Sequence, residues 1–145
     1  MKRMNGENTF KLIETFPLLY FKYDPLFHEK GKITFNFNVM DGWFGLLWEL
    51  SEKIYIEIER MKKEGIPLER LPRVTQVKEK YGELVFDVLN SNEKIDKWVA
   101  EAEDKSLTIC EICANTGKSN VDLSTEPIHS WVMVRCSEHW EMVLV

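Results

Sequence analysis

Two short spacings constrain this chain more than any other feature: Cys110-x2-Cys113 and Cys136-x2-His139, separated by residues 114–135. Thiolates three residues apart on a tight turn converge on one tetrahedral ion, and a second pair brought alongside completes a set of four ligands, the last an imidazole. These residues use every cysteine of the 145-residue sequence. The expectation is one zinc ion held by Cys110, Cys113, Cys136 and His139, with His129 as a rival fourth ligand whose distance along the chain from Cys136 does not suit a knuckle. Four protein ligands leave no open position for an activated water, so such a zinc organises the fold rather than catalysing. In small modules that role is worth on the order of 10 kcal/mol. Between the half-sites, a polar turn at 115–120 and an apolar strand at 130–134 give the layout of a zinc ribbon or treble clef.

The remainder of the chain is long enough for one core, so the organisation read from sequence is an α+β domain over 1–106 with a metal-held module over 107–145 packed on it. With 44% apolar and 30% charged residues, the composition is that of a globular protein, and no apolar run approaches a membrane span. Met1-Lys2-Arg3-Met4-Asn5-Gly6-Glu7 lacks the apolar stretch of a secretory signal. Three cysteines spaced as ligands, rather than as a disulfide framework, point to a reducing compartment. A cytoplasmic protein is expected.

Hydrophobic periodicity supplies the elements. Leu12, Ile13 and Phe16 suggest a short helix over 8–16 with Asn8 as its N-cap and Pro17 as its end. An aromatic loop follows, including Tyr20, Phe21, Tyr23 and Phe27, too apolar for a free linker and expected to pack over the core. Ile33, Phe35, Phe37 and Val39 alternate with polar residues, which predicts a strand over 33–39. From Asp41 to about Lys63, Trp43, Leu46, Leu47, Leu50, Ile54, Ile58 and Met61 recur at helical spacing, and Gly65 and Pro67 supply the stop. A β-hairpin over 72–89 is expected to turn at Tyr81-Gly82, with a bulge in its first arm because Val74 and Val77 have opposite parity. A third helix, capped from 90–93, presents Ile95, Trp98, Val99 and Ala102. The predicted fold is therefore α+β: a small antiparallel sheet, made of strand 33–39 and hairpin 72–89, packed on a long helix, with the zinc module at the end.

Catalytic constellations are scarce. Glu126-Pro127-Ile128-His129 faintly resembles the motif of ββα-metal nucleases, but His129 lies too close to Cys136 to admit the strand-turn-helix that supplies the remaining catalytic groups. His28 has no companion ligand, and Gly82 and Gly117 are isolated turn glycines rather than a phosphate loop.

Taken together, Asp41-Gly42-Trp43-Phe44 opening a helix, Gln76-Val77-Lys78-Glu79-Lys80-Tyr81-Gly82-Glu83-Leu84, Ala102-Glu103-Asp104-Lys105-Ser106 and the two ligand pairs resemble a group of small proteins of bacteria and their phages to which no activity is attached. The resemblance runs from about Phe35 to His139 and implies the same architecture and the same zinc site. The chain departs from that group at Ala114, where the group tends to place glycine.

Two roles follow as expectations. The first is a non-enzymatic protein-binding module, such as an inhibitor, immunity protein or phage-encoded modulator, using aromatics of the long helix (Trp48, Tyr55) or of the loop from Tyr20 to Phe27. The second is nucleic-acid binding through Arg70, Arg73, Lys78, Lys80 and Lys118, which the net charge of −5 disfavours because such affinity comes from neutralised phosphates. An enzyme resting on paired carboxylates is a third and weaker reading.

Overall fold

The computed structural model describes residues 3–20, 35–119 and 134–139. Its element order is α1 (Gly6–Thr15), β1 (Phe37–Asn38), a 3-10 turn at Asp41–Trp43, α2 (Phe44–Lys63), β2 (Arg73–Lys80), β3 (Glu83–Leu89), α3 (Glu93–Ser106), β4 (Lys118–Ser119) and β5 (Val134–Arg135). The α+β class expected from the sequence is the class observed.

The helix ends follow from local chemistry. In α1 the N-cap is Asn5, not Asn8: the Asn5 side chain accepts the Asn8 N–H at 2.7 Å, three residues into the helix. Asn8 instead donates its side-chain amide to Asp41 Oδ1 at 3.1 Å. Helix α2 ends in a Schellman arrangement in which Gly65 takes φ 87° and the N–H groups of Gly65 and Ile66 reach back to Lys62 O and Met61 O. Asn92 caps α3 by accepting the Ile95 N–H at 2.9 Å.

The sheet has the order β1-β2-β3 and is mixed. β2 and β3 form the expected antiparallel hairpin, but β1 pairs parallel to β2, with Phe37 opposite Val77. The purely antiparallel sheet read from sequence is corrected here. The chain leaves β1 through a 20-residue helix about 30 Å long and returns as β2 alongside, and a crossover of that kind produces a parallel neighbour. The ladder of β1 covers only Phe37–Asn38 of the expected strand 33–39; residues 33–34 lie outside the described residues. The bulge is present, as a register shift between Val74 and Gln76. The hairpin turns on two residues, Tyr81 (φ 54°) and Gly82 (φ 80°), both left-handed as a type I′ turn requires.

The inner sheet face (Phe37, Val74, Val77, Leu84, Phe86), the α2 stripe (Leu47, Leu50, Ile54, Ile58), Leu12, Phe16, Leu19 and Tyr20 share one core. Leu19 and Tyr20, in the expected aromatic loop, are fully buried; Phe21, Tyr23, Phe27 and His28 lie outside the described residues. The Tyr20 hydroxyl meets that of Ser51 at 2.5 Å, and Ser51 passes a hydrogen bond to Leu47 O. α3 lies along the free edge of β3, where Ser106 Oγ accepts the Leu84 N–H at 3.0 Å and Glu103 Oε2 the Phe86 N–H at 3.1 Å. The helix thus occupies edge donors that would otherwise invite another strand. Among the described residues no helix is long and apolar enough to cross a membrane.

Candidate metal centre

The site is built where α3 stops. After Ser106 the chain forms a tight turn in which the Cys110 N–H donates to Asn115 O at 2.7 Å and the Ala114 N–H to Cys110 O at 3.0 Å. The turn closes on Gly117, whose N–H reaches Thr108 O. A Cβ on Gly117 would stand 2.8 Å from Cys110 N, so only glycine allows this approach. β4 and β5 then pair antiparallel and carry the second half-site in behind the first. Residues 137–139 form one 3-10 turn, with the His139 N–H bonded to Cys136 O at 3.1 Å. The second pair therefore comes off a helical turn rather than a second knuckle.

Cys110, Cys113, Cys136 and His139 bring their ligand atoms within 4.8 Å of one another and could hold a metal ion. Cys113 Sγ lies 3.5 Å from Cys136 Sγ, and His139 Nδ1 lies 3.1 Å from Cys136 Sγ and 3.6 Å from Cys110 Sγ. His139 offers Nδ1 to the cluster; His129 and the nuclease-like segment around it lie outside the described residues. Cys110 and Cys136 are buried and Cys113 is exposed. Burial alone would raise the Cys110 thiol. The backbone N–H groups of Cys113, Ile112 and Cys136, with the His139 ring, favour the thiolate and bring it down to about 6. At Cys113 the Asn115 backbone also favours the thiolate, but burial and the neighbouring Cys136 and Cys110 sulfurs outweigh it and leave the thiol raised. A metal ion takes its cysteine ligands as thiolates, so an ion held here would keep both thiols deprotonated.

Compared with models of known protein families, with curated proteins and with solved structures, the chain matches none.

The turn Asp41-Gly42-Trp43 joins this centre to the core. Asp41 Oδ1 accepts the Asn5 N–H at 2.9 Å, holding the start of α1. The Gly42 N–H donates to Glu111 O at 2.9 Å, and the buried Trp43 ring donates its Nε1–H to Ile109 O at 3.0 Å. A Cβ at Gly42 would stand 2.1 Å from Cys110 O. Glycine here is required by contact with the ligand turn.

The remaining expected site residues do not converge. Trp48 and Tyr55 are half-buried and meet Phe16 edge-on, at centroid distances of 5.0 and 5.6 Å. Lys78 and Lys80 share the outer sheet face, two residues apart, with Lys80 paired across the strands with Glu83. Arg73 is at the other end of β2, about 20 Å away at ~3.3 Å per residue. It lines a cavity of about 470 Å³ with Leu18, Leu68, Leu71, Pro72 and Asn90.

Sequence reading missed Tyr81, which is 75% exposed at the hairpin tip with Lys80 Nζ 5.8 Å from its ring centre. The readable signal was a large aromatic at a type I′ turn position that favours Asn, Asp or Gly. It also missed Glu111 and Arg135, flanking the ligands Cys110 and Cys136, although two opposite charges beside the half-sites stood in the sequence.

Proposed function

We propose that this chain is a protein-binding module stapled by one structural zinc ion, in which the hairpin tip is the contact surface. Zinc is supported by the donor set, three thiolates and one imidazole. A tetrahedral zinc site has ligand atoms about 3.5–3.8 Å apart for Zn–S near 2.3 Å and Zn–N near 2.0 Å; Cys113–Cys136 at 3.5 Å and Cys110–His139 at 3.6 Å sit in that range, and Cys136–His139 at 3.1 Å is closer than it. A set of four protein ligands favours a structural role over a catalytic one. Metal analysis is expected to give one zinc per chain, lost in Cys136→Ser; full retention would refute the ligand set.

The observation that carries the protein-binding reading is Tyr81. A bulky side chain at φ 54° costs energy, and its ring is spent on solvent rather than on packing. Aromatic side chains at an exposed tip are common anchors of protein interfaces. The charges around it are mixed, Lys78 and Lys80 against Glu79 and Glu83, in a chain of net charge −5, which favours a protein over a phosphate backbone. The test is Tyr81→Asn. Asparagine suits the turn, so thermal stability is expected to rise while capture of a specific partner from the native cell is lost. Capture that survives the substitution, or that depends steeply on salt and brings nucleic acid, would overturn the reading.

A further inference from the structure

Glu111 and Arg135 form an ion pair, Arg135 Nη1 to Glu111 Oε1 at 2.8 Å, in which the side chains are 1% and 4% exposed. Their positions are the point. Glu111 directly follows the first ligand and Arg135 directly precedes the third, so the pair spans the two half-sites one residue away from the ligands on either side. The backbone does the same: the Glu111 N–H donates to Val134 O at 3.1 Å, and Glu111 Oε2 accepts the Val134 N–H, also at 3.1 Å. A carboxylate here completes what a strand carbonyl would otherwise supply. On its third side, Glu111 O accepts the Gly42 N–H.

We infer that Glu111 and Arg135 are positioning residues for the metal: they fix the register between the half-sites and thereby set the affinity of the centre. This rests on the zinc reading above. A buried ion pair contributes little net stability compared with an apolar pair of similar size, because both charges must be stripped of water. Its recognised use is to enforce one arrangement among several. The pair is neutral as a unit, so it leaves the net charge of a thiolate-rich centre unaltered; its effect on the metal is geometric. Three of the ligand-atom pairs are already 3.1–3.6 Å apart, and a slip of one residue between β5 and the first turn would turn Cys136 away from Cys113.

The experiment is competition for Zn2+ against a chromophoric chelator, together with Co2+ absorption spectra, for the wild type, Glu111→Gln, Arg135→Met, the double variant and Arg135→Lys. Circular dichroism of α2 and α3 reports whether each variant keeps its core. Glu111→Gln and Arg135→Met are each expected to weaken Zn2+ binding about 10–100-fold. The double variant should be no weaker than the worse single one, and Arg135→Lys should recover part of the loss. The Co2+ ligand-field bands should shift in the single variants, which mere loss of stability would not produce. Wild-type affinity and spectra in both single variants, or losses that simply add in the double variant, would overturn the inference alone. Failure of the wild type to bind either ion would overturn the zinc reading and this inference with it.

Discussion

Ala114 holds φ 70° immediately after Cys113, in the left-handed region where a Cβ crowds the following carbonyl. Glycine, which has no Cβ, adopts that conformation without the crowding. Ala114→Gly is expected to stabilise the chain by about 1 kcal/mol, or a rise of roughly 2–4 °C in Tm, with metal affinity undiminished; a fall in Tm in thermal melts would sink the argument. A second effect at this scale concerns Glu57, buried on α2 between Arg60, Asn92 and Lys94. Its hydrogen bond to Arg60 outweighs burial and holds its carboxyl below the usual 4.5. The folded state therefore binds the Glu57 proton more weakly than the unfolded state. The stabilisation is present above the unfolded value and is lost as pH falls through the lower folded one. Urea unfolding of Glu57→Gln should show a smaller loss of stability than the wild type between pH 5 and 3.

At the scale of elements, the Asp41–Trp43 turn decides how the metal module meets the core. Gly42→Ala would place a Cβ 2.1 Å from Cys110 O, against backbone that cannot swing aside. A cost above about 2 kcal/mol and weakened Zn2+ binding are expected, read by urea unfolding and chelator competition. Gly45→Ala is the control. Its Cβ meets nothing within 4 Å in the first turns of α2, so the same change should be neutral or stabilising by up to about 1 kcal/mol. The contrast separates a contact from a propensity effect. It also marks the boundary of what sequence could tell. α2, α3, the hairpin and its bulge were legible because each follows from periodicity and turn chemistry within a short window. The Cys110, Cys113, Cys136 and His139 cluster was legible because residues able to share one ion recur at fixed spacing. The parallel pairing of β1, the docking of Gly42 on Glu111 and the Glu111–Arg135 pair depend on segments 24 to 69 residues apart. The apolar stripe of α1 starts beyond Asn8, whereas its cap, Asn5, acts three residues earlier. Gly82 by itself accounts for the turn in the sequence, which draws the eye away from Tyr81.

For the whole molecule the question is whether a metal held by the Cys/His cluster would stabilise only its own surroundings or the entire chain. The sequence expectation is local: without metal the last third loses its order. The contacts argue for more, since Gly42 and Trp43 donate to Glu111 O and Ile109 O, while Asp41 in the same turn holds the start of α1. A buried Trp43 Nε1–H left without Ile109 O costs about 1–3 kcal/mol, and that cost falls on the core. Any ion that binds only the folded chain raises stability by RT ln(1 + [M]/Kd), about 4 kcal/mol at a thousandfold excess over Kd. If the transition is one cooperative unit, chelation should lower the melting of α2 and α3, followed by circular dichroism, by roughly 8–16 °C. Trp43→Phe removes the indole donor while keeping an aromatic ring in place. In that variant the helices should become less sensitive to chelation, while exchange protection around Cys110 should still depend on metal. Helix melting that ignores chelation in the wild type would show that the module and the core unfold separately, and that the Asp41–Trp43 turn positions the metal centre without coupling it to the rest of the fold.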